Sequence, residues 1–260
     1  MGKGSQRVFI RFICFLFNLI AMAVKKILKI KDHEYFWSSG DFHSHLGIIK
    51  EKDIKKATSK VKTNKGAVFT VHEPNFVDLT RAMERGPQMP FLKDVAIIAF
   101  YSGISKNSKV LDAGSGSGLF SIAMAKMAKS VVSYERDKRF FGIAKRNSLL
   151  FGIKNIEFRN KDVYKGISEK ELDAVVLDLP EPWKALKPAE KALKPGGSLV
   201  AYLPNISQTE KLIKQSKKLS FGFAKTIEVI EREWVVDELR LRPSHHMYGH
   251  TAFLTFMRKL

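Results

Sequence analysis

Cysteine is almost missing from this chain of 260 residues: Cys14 is the single one. One thiol excludes an internal disulfide and any cysteine-built metal site, which fits a reducing, cytoplasmic setting. Acidic side chains are scarce, with 26 Asp and Glu against 45 Lys and Arg, giving a formal net charge of +19. A surplus of that size calls for a polyanionic partner, nucleic acid or an anionic membrane, although lysine also serves solubility alone. Long apolar runs are lacking too. The longest, residues 8–24, falls short of the roughly 20 residues that span a bilayer and is interrupted by Arg11 and Asn18. Three readings stay open for this N-terminal extension, residues 1–24. The true start is Met22, so that Met22-Ala23-Val24-Lys25-Lys26 leads into a first strand. Alternatively the run makes membrane contact through residues 8–24. The third reading is a signal or anchor, with Lys3, Arg7 and Arg11 near the start and Ala21-Met22-Ala23 as a small-residue end.

Hydrophobic residues make up 45% of the chain, enough for a sizeable core. Residues 25–80 read as a small, lysine-rich β domain. Short apolar runs at 27–30, 35–37, 47–49 and 67–71 are separated by turns at Ser38-Ser39-Gly40-Asp41 and Thr63-Asn64-Lys65-Gly66, and a connecting helix is expected over 74–83. From about Lys93 the rhythm changes to strand and helix in alternation. Strands are expected at 109–112, 130–134, 156–158, 174–179 and 198–203, with helices at 118–129, 137–150 and 188–193. Such alternation implies an α/β fold with a parallel, doubly wound sheet, here over residues 81–260.

Three features mark a ligand crevice at the carboxyl ends of those strands. Val110-Leu111-Asp112-Ala113-Gly114-Ser115-Gly116-Ser117-Gly118 sets three glycines after the first strand, where the backbone must turn sharply and approach a ligand closely. Glu135 ends the next strand, at the spacing where a carboxylate meets ribose hydroxyls, and Asp162 follows the third, in reach of an adenine amino group. Either acid alone would be an ordinary helix-start charge; together with the glycine loop they form a set. The loop lacks the G-x-G-x-x-G spacing of a dinucleotide site. Asp178-Leu179-Pro180-Glu181-Pro182-Trp183 follows the fourth strand, so Asp178 faces the same crevice on a proline-stiffened loop. His43, His45, His245, His246 and His250 have spacings a metal would tolerate. No cysteine or carboxylate cluster accompanies them, so no metal is expected.

The chain resembles the tRNA adenine-58 N1-methyltransferase family in its archaeal and bacterial single-subunit form. The resemblance runs from about Ile27 to Lys259. It rests on Phe42-His43-Ser44-His45 with Gly47, Arg85-Gly86-Pro87-Gln88 with Lys93-Asp94, the glycine loop, and Ser133-Tyr134-Glu135. It continues through the Asp178–Trp183 motif, Ala201-Tyr202-Leu203-Pro204-Asn205, Arg242-Pro243, and Gly249-His250-Thr251-Ala252-Phe253-Leu254. It implies a class I methyltransferase fold of Rossmann-like type with a small N-terminal β domain. The implied cofactor is S-adenosyl-L-methionine, the implied substrate tRNA, and the implied assembly a homotetramer. It would place the cofactor against Gly114, Gly116, Ser117, Gly118, Leu119 and Phe120, with Gln88 near the methionine end, Glu135 on the ribose and Asp162 at the adenine. Asp178 would touch both cofactor and target base as the catalytic residue. Where the family often has Tyr-Pro-Lys-Asp this chain has Phe91-Leu92-Lys93-Asp94, so any contribution of that hydroxyl is absent.

That chemistry suits the residues. Adenine N1 carries an in-plane lone pair and attacks a sulfonium methyl without prior deprotonation. The product base is cationic, and a carboxylate at its N6 edge stabilises the developing charge. N1 lies on the pairing edge, so the base must swing out. Lys50, Lys52, Lys55, Lys56, Lys60, Lys62 and Lys65, with Lys211, Lys214, Lys217 and Lys218, are candidates for tracking phosphates. Three other readings compete: a tRNA-binding scaffold without catalysis, a methyltransferase for another RNA site, and one for a small molecule. Retention of the glycines and Asp178 argues against the first, and the basic charge against the last.

Overall fold

The computed structural model describes residues 23–86 and 89–260. The open question of the start, the Met22 alternative and the apolar run up to residue 22 therefore lie outside the described residues, as does Gln88. Among the described residues no helix is long and apolar enough to cross a membrane.

The first part of the chain is β1 (Lys26–Ile30), β2 (His33–Trp37), β3 (Phe42–Ser44), β4 (Gly47–Ile49), the short helix α1 (Glu51–Lys56), β5 (Lys60–Lys62) and β6 (Val68–His72). Four strands form an antiparallel sheet in the order β2-β1-β6-β5, and β3 and β4 make a separate hairpin. Leu28, Trp37, Ile49, Ile54, Val61, Phe69 and Val71 form its core. Alternation sets the outside as well: β5 buries Val61 and exposes Lys60 and Lys62, which also keep this edge strand from pairing with another chain.

Helix α2 (Phe76–Ala82) falls inside the expected span 74–83. It starts there because Asn75 and Asp78 form a reciprocal capping box, with bonds of 2.9 and 3.0 Å. Then follow α3 (Leu92–Tyr101), β7 (Lys109–Ala113), α4 (Leu119–Ala125), β8 (Ser130–Tyr134), α5 (Lys138–Leu150), β9 (Ile156–Arg159), β10 (Leu172–Leu177), α6 (Leu186–Ala192), β11 (Leu193–Leu203), α7 (Ile206–Ser216), β12 (Phe221–Ile227), the hairpin β13 (Trp234–Val236) and β14 (Leu241–Pro243), and β15 (Phe253–Lys259). The central sheet runs β12-β15-β11-β10-β7-β8-β9. Two apolar clusters, one on each face, bury it.

The expected doubly wound α/β architecture is present, with one correction: the sheet is mixed, not wholly parallel. The strands β11, β10, β7, β8 and β9 are parallel, whereas β15 is antiparallel to both β11 and β12. The reason is local. After β12 the chain makes the β13–β14 hairpin and re-enters beside β11 from the opposite end, with no crossover helix to restore direction. In this arrangement the carboxyl ends of β7, β8, β9 and β10 open on one crevice.

Candidate active site

The crevice is a cleft of about 340 Å³ whose walls include Gly114, Ser115, Gly116, Ser117, Phe120, Glu135, Asp162 and Asp178. Backbone bonds gather the strand ends around it. Gly114 N–H donates to Tyr134 O (3.0 Å), Asp178 N–H to Ala113 O (2.9 Å) and Glu135 N–H to Arg159 O (3.0 Å). Gly114 has φ +95°, and a Cβ there would stand 2.1 Å from the Asp178 carbonyl oxygen. The glycine is thus what lets the loop after β7 pass against the Asp178 loop. Gly118, at φ +85°, opens α4, and its added Cβ would meet Ala144 at 3.1 Å.

Glu135 is held rigidly. One carboxylate oxygen accepts from Gly116 N–H (3.1 Å) and the other from Asp137 N–H (2.9 Å), while the Asn160 amide donates to the carbonyls of Glu135 (2.7 Å) and Arg136 (3.0 Å). Asp162 lies past β9, where one oxygen accepts from Tyr164 N–H (3.0 Å) and caps a short 3-10 turn. Asp178 is the first residue beyond β10, on the loop expected for it. It is open to solvent in the cleft, yet the walls crowd it. Burial and then the Glu135 charge push its carboxyl up to about 7.

Gly118 and Leu119 do not line the cleft. The Leu119 side chain packs instead with Leu79, Met83, Ile122 and Phe151 beneath α2. Two cleft groups escaped the sequence reading. Asp112, in the middle of β7, is 1% exposed. One of its oxygens accepts from the hydroxyls of Ser121 and Ser133, while the other is buried without a partner. Burial, first of all, raises this carboxyl to about 7, and the charges of Asp178 and Glu135 add to the effect. An aspartate inside an otherwise apolar strand was the available signal. Tyr202 also lines the cleft. Its hydroxyl bonds to Asp94 (3.4 Å), whose other oxygen accepts from the Lys93 ammonium (2.8 Å). Lys93 donates further to Thr251 Oγ1 and to Val229 O, both at 2.7 Å. Burial, then the Asp94 charge, holds Tyr202 above its ordinary pKa, so it remains a phenol.

The Ser117 hydroxyl is likewise buried and without a partner. Ser102 Oγ and Thr209 Oγ1 are also buried without partners, but away from the cleft; the two on the cleft wall are the ones a bound ligand would complete. A ligand with hydrogen-bond donors and positive charge for Asp112 and Asp178, and hydroxyls for Glu135, would match this lining. A sulfonium amino acid joined to a nucleoside has that chemistry; an anionic dinucleotide does not. Among the described residues no group of three or more His, Cys, Asp or Glu is placed to hold a metal ion. His250 has other partners: its ring nitrogens face Glu228 Oε1 (2.5 Å) and Pro204 O (2.9 Å), which raises its pKa. Phe91 packs edge-on against Tyr248, with centroids 4.8 Å apart.

Residues 74–242 match the family described as tRNA methyltransferase complex GCD14 subunit. The chain belongs to this family. Its relatives include a tRNA (adenine(57)-N(1)/adenine(58)-N(1))-methyltransferase of Methanocaldococcus jannaschii, 33% identical over 84% of this chain and 87% of that protein. A tRNA (adenine(58)-N(1))-methyltransferase of Thermus thermophilus is 34% identical over 85% and 89%. Among solved structures, the tRNA (m1A58) methyltransferase of Aquifex aeolicus superposes with a TM-score of 0.74 at 26% identity, covering 94% of this chain and 99% of that one. A SAM-dependent O-methyltransferase of Thermotoga maritima superposes with a TM-score of 0.79 at 27% identity, over 92% and 93%. The cleft just described thus sits in a methyltransferase fold of class I type.

Proposed function

We propose that this protein transfers a methyl group from S-adenosyl-L-methionine to N1 of adenine 58 in the T-loop of tRNA, and in a dual-site version also to adenine 57. The observation that carries this reading is the cleft itself. Asp112, Glu135 and Asp178 converge there with two unpaired buried polar atoms, at the carboxyl ends of parallel strands, in a chain otherwise strongly basic.

The cofactor, when bound, supplies an electrophilic methyl on a positive sulfur. The protein's residues do the rest. Glu135, fixed by two backbone N–H groups, takes ribose hydroxyls; Asp162 takes the adenine amino group through its free oxygen; Asp112 and Ser117 receive donors from the amino-acid end. Gly114, Gly116 and Gly118 shape the loop, with Phe120 as an apolar wall. The family resemblance assigns Gln88 and Leu119 to the same cofactor. Asp178 acts on the acceptor: as a carboxylate it bonds the exocyclic amino group of the target adenine and stabilises the positive charge that the base acquires. The phenol of Tyr202, anchored through Asp94 and Lys93, closes the cleft wall beside it.

Exposed lysines of the N-terminal β module, Lys52, Lys56, Lys60, Lys62 and Lys65, track tRNA phosphates. Lys50 and Lys55 are already paired with Asp41 and Glu51, each within 2.9 Å. The β13–β14 arm exposes Trp234, Val236, Leu239 and Leu241, apolar area suited to the contacts of a homotetramer. The enzyme works in the cytoplasm, where its cofactor and tRNA are. Purified protein, labelled cofactor and unmodified tRNA should yield 1-methyladenosine, resolved from its N6 and C2 isomers by nucleoside mass spectrometry. Reverse-transcription arrest should place it at 58, or at 57 and 58. Methylation of guanine, cytosine or a protein with tRNA untouched would sink the proposal.

A further inference from the structure

Asn147 sits on α5, 1% exposed, and none of the chemistry above uses it. Its amide is fully engaged. The oxygen accepts from Glu84 N–H (2.8 Å), and the nitrogen donates to Glu84 O (3.0 Å) and to Ser117 O (2.8 Å). Bonding both the N–H and the C=O of one residue imitates strand pairing. It captures the strap of chain that leaves α2 at Met83, while the remaining donor reaches the glycine loop.

Two further contacts tie the same strap. Outside, the Arg146 guanidinium grips the Glu84 carboxylate in a two-pronged bond, 2.9 and 3.0 Å. Inside, a Cβ added to Gly86 would stand 3.4 Å from Ser117 N and 3.6 Å from the Phe140 ring, so the strap backbone lies directly on the loop. Ser117, whose carbonyl Asn147 holds, carries the unpartnered hydroxyl in the cleft wall. A buried asparagine that merely satisfied its own helix would not join three separate segments at the edge of a binding cleft.

We infer that Asn147 is a positioning residue for cofactor binding: it locks the strap at Glu84 onto the glycine loop and thereby fixes how Ser117 faces the cleft. The inference rests on the cofactor reading of the cleft given above. Removing the amide takes this partner from the buried Ser117 carbonyl and from the part-buried Glu84 carbonyl and N–H, and the loop then gives up its fixed geometry.

The test uses the full chain with Asn147→Leu, close in size but without polar atoms, and with Arg146→Met, which removes only the outer grip. Calorimetry with S-adenosylmethionine and S-adenosylhomocysteine measures affinity, and hydrogen exchange of the ligand-free protein measures loop order. Asn147→Leu should weaken both ligands by about 10- to 100-fold, the equivalent of losing one or two buried hydrogen bonds. It should raise the cofactor KM in parallel and leave kcat at saturation and the tRNA KM within about threefold. Amides 115–119 should exchange faster, with those of β10 unchanged. Arg146→Met should show the same pattern at a few-fold. Wild-type cofactor affinity in Asn147→Leu, or a fall in kcat with an unchanged cofactor KM, overturns the inference. If Asn147→Leu does not fold, Arg146→Met decides, and unchanged affinity there overturns it. Wild-type protein that binds neither ligand sinks the cofactor reading itself, an outcome distinct from normal wild-type binding with unaffected variants.

Discussion

Acid should drive the cofactor off this protein, at a rate per pH unit that the cleft sets. Burial pushes the carboxyls of Asp178 and Asp112 up to about 7; the charge of Glu135 adds to both, and that of Asp178 adds to Asp112. Both therefore titrate near neutrality. A ligand carrying a sulfonium and an ammonium favours the ionised carboxylates, so binding lowers their pKa values and expels protons. Affinity must then rise with pH up to the ligand-free pKa and level off above it. For one group near 7, the ionised fraction is about one half at pH 7, about one eleventh at pH 6 and about one hundredth at pH 5. The affinity should therefore drop roughly 50-fold between pH 7 and 5, and more steeply if both carboxyls must ionise. Calorimetry at several pH values gives the affinities, and repeating it in two buffers of different ionisation enthalpy counts the protons. About one or more should leave per cofactor near pH 6. S-Adenosylhomocysteine, without the sulfonium, should show a shallower slope. Flat affinity from pH 5 to 8 with no proton release would refute the argument, since it would mean that the carboxylates are already ionised or do not face the positive charge.

The same raised carboxyls govern stability without ligand. A carboxyl whose pKa climbs from 3.8 to about 7 on folding stabilises the fold while protonated, and that stability is lost as pH rises through 7. Asp112→Asn, which mimics the neutral form, should flatten the fall in Tm between about pH 4 and 7, followed by circular dichroism. Asp178→Ala should cut the rate on tRNA about a hundredfold or more at saturating cofactor, because a preorganised charge beside the base is gone; a loss confined to KM would reassign Asp178 to cofactor binding alone. Gly114→Ala should abolish cofactor binding, since its Cβ would lie 2.1 Å from the Asp178 carbonyl, and should destabilise by more than the ~1–2 kcal/mol of a left-handed residue alone. Lys60→Glu with Lys62→Glu should weaken tRNA binding and lower the log–log salt slope by about two while leaving cofactor affinity intact, as checked by filter binding at graded salt.

Most of the fold was legible because the parallel strands β7, β8 and β10 are short apolar runs closed by glycine or acid, and the helices between them carry ordinary start signals. Asp137, for instance, caps α5 through Arg139 N–H at 2.7 Å. What was not legible escaped for different reasons. Helix α3 has apolar residues in nearly every position of Val95-Ala96-Ile97-Ile98-Ala99-Phe100, so its period is masked. The reversal at β15 depends on which end of β11 the chain returns to, and no local pattern encodes that. The site divides the same way. Gly114, Gly116, Glu135, Asp162 and Asp178 announce themselves by standing at strand ends. Asp112 and Asn147 act from inside elements, where an acid or an amide reads as an isolated polar exception until its distant partners are known. Serines 121 and 133 and the strap at Glu84 supply those partners from 9 to 63 residues away in sequence.

A surplus of 19 positive charges sits oddly beside a cleft lined with carboxylates, and the distance over which each acts resolves the contrast. Exposed lysines act through solvent over about a Debye length, ~10 Å at moderate salt, and summed over a surface they raise the encounter rate with a polyanion. They do so for any tRNA and cannot choose a base. The carboxylates act at contact distance on whatever enters the cleft. There they favour a cation over the anions gathered outside, which keeps phosphate groups out of the cofactor cleft. An adenine entering that cleft is neutral, and it becomes positive only as the methyl arrives at N1. In the role proposed for it, Asp178 would gain most from the base at the moment of transfer, the condition under which binding energy lowers a barrier and does not merely hold a substrate.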